Sequence, residues 1–536
     1  METYYSTFLQ RFNRFEKSDK VVSILGTVAA TGLATYCIKK AIKRHHAKQL
    51  ASAKSVFGEI PTPEGAYYYL GHIPLLGKVP AFKITEWHQK LGPILRIKMG
   101  VQEWVFISEP NTAHEFFVAQ GAHTSGRPYM TWGNGILGEG ERGVVFVNYG
   151  KQWKNARTAI LDVLSPKSVD GFHELLQGEA EHLVNTLIEQ TERFGKVDPI
   201  TFVRCSSVNI ILAAAFGISG VKSADDPLYK QIIYIMETGL EFANVVNDPG
   251  SFFPILSFLD IFFRRERAMR KYRDTTVFPL LVKLVQAARE SKNNSLVKKL
   301  DLIKEEFGLD EQNILVLMSE LLVAGSDTVA ASTLWTFSIL CNHPQVQKKL
   351  QDEVDTFINR HGRIPTFADR LELPYFIAFQ KECLRFRPPA LFNIPRKASK
   401  DVVYKNYIIP KGTVLLSNIH TLHNDSNTYP EPEKFIPERF LGDSRSIYAC
   451  SNGNIQNRDQ FVFGWGRRMC PGIYLAENEL FNTMTRVMAR CEIKPVLSQD
   501  GTELYPDLDD LHDGGATVQP NPYNIRFAQR ENRLVV

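Results

Sequence analysis

Residues 463–472 read Phe463-Gly464-Trp465-Gly466-Arg467-Arg468-Met469-Cys470-Pro471-Gly472. This is a glycine-rich loop with one cysteine, and a helical pattern begins at about Gly472. Gly464 and Gly466 permit a tight, bulged backbone that a residue with a Cβ resists. Pro471 suits the first position of the following helix, where its missing N–H costs nothing. Cys470 is thereby predicted to sit where the unpaired N–H groups of a helix start point at its sulfur. That setting lowers a thiol pKa and suits a thiolate ligand. The loop predicts one soft metal–sulfur bond beside a flat surface.

The chain has 536 residues, an apolar fraction of 44% and a formal net charge of +5. This composition fits a globular protein with a large core. The mild positive charge argues against a dedicated nucleic-acid binder and permits a basic docking face. The seven cysteines are scattered and form no CxxC pair. That spacing excludes a disulfide framework or a zinc site and points to a reducing compartment.

Residues 1–20 form a polar, basic flank. Val21 to Ile38 carries no charge, and a stretch of about 18 residues is just long enough to span a bilayer. Lys39, Lys40, Lys43, Arg44 and Lys48 follow. A cleaved signal peptide fits poorly, because the apolar stretch starts late and basic residues, not a small-residue cleavage site, follow it. A buried soluble helix stays open as an alternative, since Gly26, Thr27, Thr31 and Gly32 dilute the hydrophobicity. The basic bias after the stretch places the bulk of the chain on the cytoplasmic side. Residues 39–80 read as a basic, proline-rich linker. Within it, Ile60-Pro61-Thr62-Pro63 and Gly71-His72-Ile73-Pro74 predict a stiff, extended connector without helix. Residues 81–536 read as one large, mixed but mainly helical domain.

Inside that domain, Ile94–Gly100 and Trp104–Ile107 predict a β-hairpin. The glycines between 121 and 150 predict a long functional loop of the kind that forms lids. Lys151 to Val163 predicts a helix with Trp153 and Arg157 on one face. From about 168 to 345 the pattern is mostly helical. The apolar segment 252–263, followed by Arg264, Arg265 and Arg267, reads equally as core or as a membrane-touching patch. A long helix is predicted from Glu311 to Cys341, capped by Asp310 and stopped by Pro344. Its apolar middle should be buried, yet Gly325-Ser326-Asp327-Thr328 interrupts it. A buried Asp costs several kcal/mol unless it is paired or hydrated, so the notch predicts a ligand meeting a proton donor. A Ser/Thr kink that satisfies itself is the alternative. Phe376 to Phe386 predicts a short helix in which Glu382 and Arg385 can pair. Short strands are predicted at 401–404, 407–412 and 413–416, and Asp443 to Gln460 reads as a mobile surface insert.

Taken together, these segments resemble the cytochrome P450 haem-thiolate monooxygenases over roughly residues 60 to 530. Residues 463–472 are similar to the family's haem-binding loop, with Phe463, Gly464, Gly466, Arg468, Cys470 and Gly472 at its positions. Ala324-Gly325-Ser326-Asp327-Thr328 is similar to its oxygen-activation motif. Glu382-Cys383-Leu384-Arg385 with Arg439 is similar to its Glu-x-x-Arg network, and Trp153 and Arg157 to its Trp-x-x-x-Arg helix.

The resemblance implies a mainly α fold with small β-sheets, shaped like a trigonal prism, behind an N-terminal transmembrane anchor. It implies haem b with Cys470 as the axial thiolate. Trp153, Arg157, Arg396 and Arg468 would hold the propionates, with Arg127 as a further candidate, and Phe463 would pack beside the sulfur. Gly325 would let the helix backbone approach the cofactor. Asp327 and Thr328 would deliver protons, and Glu382, Arg385 and Arg439 would support the loop. The implied reaction inserts one oxygen atom from dioxygen into a lipophilic substrate, a steroid among the candidates. Contacts are expected from 121–150, 228–263, Leu322 and Ala390–Ile394. Electrons would come from NADPH through NADPH–cytochrome P450 reductase, docked near Arg467, with cytochrome b5 as a second donor. The implied location is the endoplasmic reticulum membrane, with the catalytic domain in the cytoplasm. A haem-thiolate isomerase or dehydratase, or a haem-binding sensor, stands as the alternative. Neither requires the Asp327–Thr328 pair.

Overall fold

Asp310 caps the longest helix, its carboxylate accepting the Asn313 N–H at 2.7 Å. The helix then runs Glu311–Asn342 and is buried on nearly every side through its C-terminal half. The computed structural model describes residues 57–244, 248–253 and 264–530, and the expected anchor Val21–Ile38 lies outside them. Among the described residues this long helix is the one apolar enough to cross a membrane. Since 67% of its most apolar stretch is buried inside the protein, it is a core helix.

The chain divides into two units, Ile60–Val402 with Pro410–Val536, and Met1–Glu59 with Val403–Ile409. In the small unit the Gly58 N–H donates to the Asn406 carbonyl at 2.7 Å. In the large unit the helices that carry the site are α1 (Lys151–Val163), α2 (Ile200–Phe216), α3 (Pro227–Ala243), α4 (Glu311–Asn342), α5 (Pro374–Phe386) and α6 (Ile473–Arg490). The main sheet is built from β1 (Ile94–Met99), β2 (Gln102–Ile107), β3 (Arg396–Lys397) and β4 (Val414–Ser417), in the order β1-β2-β4-β3. β1 and β2 form the predicted hairpin, with Leu95 opposite Phe106. β4 runs parallel to β2, and Arg396 on the edge strand β3 faces Leu415. A late hairpin, β5 (Leu511–Asp513) and β6 (Val518–Pro520), is tied to α4 where the Trp335 indole N–H donates to the Val518 carbonyl at 3.1 Å.

α4 divides the apolar interior. On one side Trp132, Ile160, Ile211 and Leu281 pack with its N-terminal half, and on the other Leu187, Phe376, Phe481 and Phe527 pack with Leu334 and Trp335. A Cβ on Gly325 would stand 2.7 Å from Ile211 Cδ1. Close packing of α4 on α2 therefore explains this glycine. Its side-chain direction points at α2 and gives no support to a role in admitting a cofactor.

Four segments add to or alter the local expectations. The 121–150 segment is folded into the core: Trp132, Ile136 and Leu137 are buried, within a wide helical turn Thr131–Leu137. The proline-rich connector contains a 3-10 turn at Ile73–Leu75, because Pro74 occupies the start of a turn, where its missing N–H is harmless. Of the apolar segment 252–263, Phe252 and Phe253 are described. Phe252 is buried, and it packs its ring 6.0 Å from that of Trp104.

The 443–460 insert is the fourth. It carries a helix, Ile447–Asn452, with Ile447, Cys450 and Ser451 buried, and the Ile447 N–H donates to Glu477 at 2.9 Å. Lys381, wholly buried on α5, lies 3.0 Å from the Asp443 carboxylate and 4.0 Å from that of Asp459. Replacing Lys381 with Ala leaves the half-buried Asp443 and Asp459 with Arg445 alone as their cation. This is expected to cost about 2 kcal/mol, read as a lower denaturation midpoint, and to raise hydrogen exchange throughout 443–460. If the insert's exchange in the variant matches the wild type, the insert is not held this way.

Candidate cofactor site around Cys470

The 463–472 loop is shaped by two left-handed glycines and gripped from four directions. Gly464 has φ 81° and Gly466 φ 49°. A Cβ on Gly466 would stand 2.6 Å from the Phe117 carbonyl oxygen, so the backbone approach requires glycine. Between them Trp465 is wholly buried, its indole N–H donating to Ser417 Oγ on β4 at 3.2 Å. The Arg458 guanidinium stacks 3.8 Å from the Trp465 ring and donates to the Gly464 carbonyl. The Arg396 guanidinium donates to the Trp465 carbonyl at 2.5 Å.

The turn closes where the Cys470 N–H donates to the Phe463 carbonyl at 2.8 Å. Phe463 and Cys470 both pack, half-buried, against Val329 of α4, Met469, Ile473 and Leu480. Gly472 is the N-cap residue of α6 and Ile473 the first helical residue. Pro471 therefore precedes the cap and does not occupy the first helical position as expected. The Gly472 N–H does point at the Cys470 sulfur. Even so, burial pushes the thiol up from its ordinary value, against the pull of that N–H and of Arg157. The expectation of a lowered thiol pKa fails here, because a helix start does not outweigh burial in apolar surroundings.

Four arginines converge beside the cysteine. Arg157, four residues after Trp153 on α1, donates to the Met469 carbonyl. Arg468 donates to the carbonyls of Ser125 at 3.0 Å, Val144 at 3.0 Å and Val147 at 2.5 Å, with its guanidinium 4.4 Å from the Trp153 ring. Arg127 donates to the carbonyls of Val145 at 2.7 Å and Pro395 at 2.8 Å. The Trp153 indole N–H donates to the Val144 carbonyl at 3.0 Å.

Among the described residues none of the four arginines pairs with a carboxylate. Burial first, and mutual repulsion second, pushes Arg127 and Arg396 down to about 9 and Arg468 to about 8. A guanidinium keeps its proton in a protein. Two of them buried and two half-buried in one place, held by neutral carbonyls, therefore call for anionic charge at short range. One buried carboxylate acts on them from a distance: Glu320 of α4 accepts the N–H groups of Val144 at 2.8 Å and Val145 at 3.0 Å. Burial pushes Glu320 up to about 7 against those two bonds and against Arg468 and Arg127. A soft sulfur donor, a guanidinium cluster and an apolar floor fit a metal held in a flat dianionic macrocycle.

Behind the loop the expected ionic network is present. Glu382 and Arg385 are wholly buried and joined twice at 2.7 Å, and Arg439 reaches Glu382 at 3.1 Å. His423, which sequence reading missed, connects this network to the loop. Its Nε2 accepts the Phe461 N–H at 3.3 Å and its Nδ1–H donates to the Arg385 carbonyl at 3.1 Å.

Asp327 and Thr328 are not turned toward one another. The Thr328 hydroxyl donates to the Ala324 carbonyl at 2.7 Å. The Asp327 carboxylate accepts the Thr517 hydroxyl from the β5–β6 hairpin and lies 3.8 Å from Arg204 of α2, which also meets Glu237 of α3 at 3.1 Å. Successive residues of a helix point about 100° apart, and that rotation separates the pair. Asp327 lines a cavity of about 490 Å³. Ile233, Met236 and Leu240 of α3 line it, together with the charged Arg204, Glu237 and Asp513. The charged part of the lining was not foreseen. Thr517 and His423 carry no local signal in the sequence. Glu320 did carry one, as a lone acid in an apolar helical run.

A family model described as Cytochrome P450 matches residues 61–527. The chain is similar to Cytochrome P450 monooxygenase 253 of Postia placenta, 28% identical over 482 residues covering 88% of this chain and 89% of the relative. It is 31% identical over 471 residues to Cytochrome P450 monooxygenase pgmC of Aspergillus terreus, covering 86% and 84%. Among solved structures it is similar to a zebra fish cytochrome P450 whose structure was determined with progesterone. The TM-score is 0.68 at 25% identity, over 84% of this chain and 99% of that one.

His423 supplies a pH test. Burial, then the Arg385 charge, lowers its pKa from the ordinary 6.5 to about 3. Below pH 6.5 the unfolded chain takes up a proton that the folded chain refuses. The contribution is thus full above pH 6.5 and is lost as pH falls toward 3. Going from pH 7 to pH 5, the wild type should lose about 2 kcal/mol more stability than His423→Gln, measured by chemical denaturation. Equal pH sensitivity of the two proteins would refute the link.

Proposed function

The chain belongs to the cytochrome P450 family, and from that premise we propose that it is a membrane-anchored monooxygenase of lipophilic small molecules with Cys470 as the axial ligand of haem b. The observation that carries the reading is the cluster of two buried and two half-buried arginines, without a carboxylate partner among the described residues, beside the half-buried Cys470 sulfur. When bound, a thiolate-ligated haem supplies dioxygen activation, the sulfur's electron density favouring O–O cleavage. Cys470 would hold the iron. Arg157, Arg396, Arg468 and Arg127, with Trp153, would hold the propionates through charge-assisted bonds. Phe463 packs beside the sulfur, and Gly464 and Gly472 shape the loop that presents it. The Glu382, Arg385 and Arg439 network fixes the wall behind that loop, a role in geometry more than in net stability.

On the other face, Asp327 would take a proton from the polar part of the cavity and turn toward Thr328, whose hydroxyl leaves the Ala324 carbonyl to receive it. A carboxylate and a hydroxyl one residue apart carry protons without flooding an apolar pocket. An isomerase or dehydratase has no use for that relay. Electrons would arrive from NADPH through NADPH–cytochrome P450 reductase, with cytochrome b5 as a second donor. The exposed Arg467 lies in the loop that a partner with an acidic face would approach. The uncharged stretch Val21–Ile38 and its basic flank support an endoplasmic reticulum anchor with the enzyme on the cytoplasmic side. A steroid is the substrate we favour, supported by the progesterone-bound zebra fish structure and by the apolar lining residues Ile233, Met236 and Leu240.

Replacing Cys470 with Ala should abolish the strongly red-shifted Soret band of the reduced carbon monoxide complex. A band that persists would remove Cys470 from the ligand position. Thr328→Ala should keep its haem and oxidise NADPH, but lower product per NADPH about tenfold or more and release peroxide instead. Unchanged coupling would take Thr328 out of the proton route.

A further inference from the structure

One segment meets Arg468, Arg127 and Trp153 through its carbonyls, and two of its N–H groups are held by one side chain of α4. Residues 143–147 form a strap across α4. The Val144 carbonyl accepts both the Trp153 indole N–H and an Arg468 N–H, each at 3.0 Å. The Val145 carbonyl accepts from Arg127 at 2.7 Å and the Val147 carbonyl from Arg468 at 2.5 Å. The N–H groups of Val144 and Val145 both point the other way, onto the two carboxylate oxygens of Glu320.

We propose that Glu320 is a positioning residue for the cofactor: it pins the 143–147 strap to α4 and thereby sets the carbonyls that aim Arg468, Arg127 and Trp153. The inference rests on the reading of those residues as the haem cradle.

Three features of the geometry point this way. Glu320 is only 8% exposed and forms no ion pair with either arginine among the described residues, so its direct hydrogen bonds go to the strap. The two neighbouring N–H groups each meet a different oxygen of Glu320; an amide would place an NH2 donor against one of them. Gly143, at φ +96°, completes the fit: a Cβ there would stand 2.7 Å from Glu320 Oε1 and 2.8 Å from Val316 Cγ1. The glycine is thus required on two counts, its left-handed backbone and the approach of the carboxylate. An acid on an otherwise apolar helical face is costly to bury. The strap accounts for it.

The test compares holoenzymes. Glu320→Gln keeps shape but offers one acceptor oxygen, and Gly143→Ala pushes the strap away from the other side. Haem transfer from each to an excess of a haem-scavenging apoglobin should be about 10- to 100-fold faster than from the wild type, the usual cost of losing a partner that orients a metal site's ligands. The double variant should be no faster than the faster single one, since both break the same contact. Ile493→Ala, in the apolar core away from the strap, should lower thermal stability and leave the haem-loss rate unchanged. Hydrogen exchange should show the Val144 and Val145 amides protected in the wild type and unprotected in each variant. Wild-type transfer rates with intact protection in a folded variant would overturn the proposal. So would additive effects in the double variant. If one variant fails to fold, the other is judged by the same rate and protection. A wild-type protein that binds no haem would instead overturn the cradle reading itself.

Discussion

The structure turns on clustered positive charge that, among the described residues, pairs directly with no carboxylate. Arg127, Arg157, Arg396 and Arg468 come from a loop, a helix, an edge strand and the cysteine loop, yet they meet in one place. Their hydrogen bonds go to backbone carbonyls, which orient a guanidinium but do not neutralise it. Such an arrangement is expensive for the protein alone. It makes sense as half of a complex whose other half is anionic. The cysteine beside it would supply the soft donor that the proposed cofactor needs.

Everything around the loop serves to keep that geometry rigid. Trp465 is anchored to β4, Arg458 covers its face, and Arg396 holds its carbonyl. From behind, a chain of hydrogen bonds runs from Glu382 and Arg385 through His423 to the Phe461 N–H. Neutral His423 suits this position. One ring nitrogen must donate and the other accept, and a protonated ring could only donate. The ionic network thus reaches the cysteine loop without placing a charge beside it.

The Asp327–Thr328 pair follows different rules. Asp327 meets Thr517 and Arg204 at the edge of a cavity lined by both apolar and charged residues, while Thr328 is turned onto its own helix. Adjacency in sequence placed the two groups on one helix. The 100° step between neighbours set them on different faces, and partners far away in sequence, Thr517 and Arg204, decided which way the carboxylate looks.

Local signals in the chain were enough for the cysteine loop, the long buried helix with its polar notch, the Trp153–Arg157 face, the Glu382–Arg385 pair and the first hairpin. In each, one or two turns of backbone carry the pattern, through glycine at positive φ, apolar periodicity or i, i+3 and i, i+4 spacing. Where long-range packing dominates, local pattern failed. Gly325 answers to Ile211 on another helix, and Lys381 draws the polar insert 443–460 into the fold. Burial also outweighs the helix start at the Cys470 thiol. Glu320, His423, Thr517 and Arg204 matter only through partners far along the chain, and such partners have no spacing to read. The residue types, and with them the chemistry, were determined by sequence alone. Which buried group faces which, and therefore which charges need a ligand to complete them, was decided by the tertiary structure, because electrostatic cost depends on distance and burial, and neither is a local property of the chain.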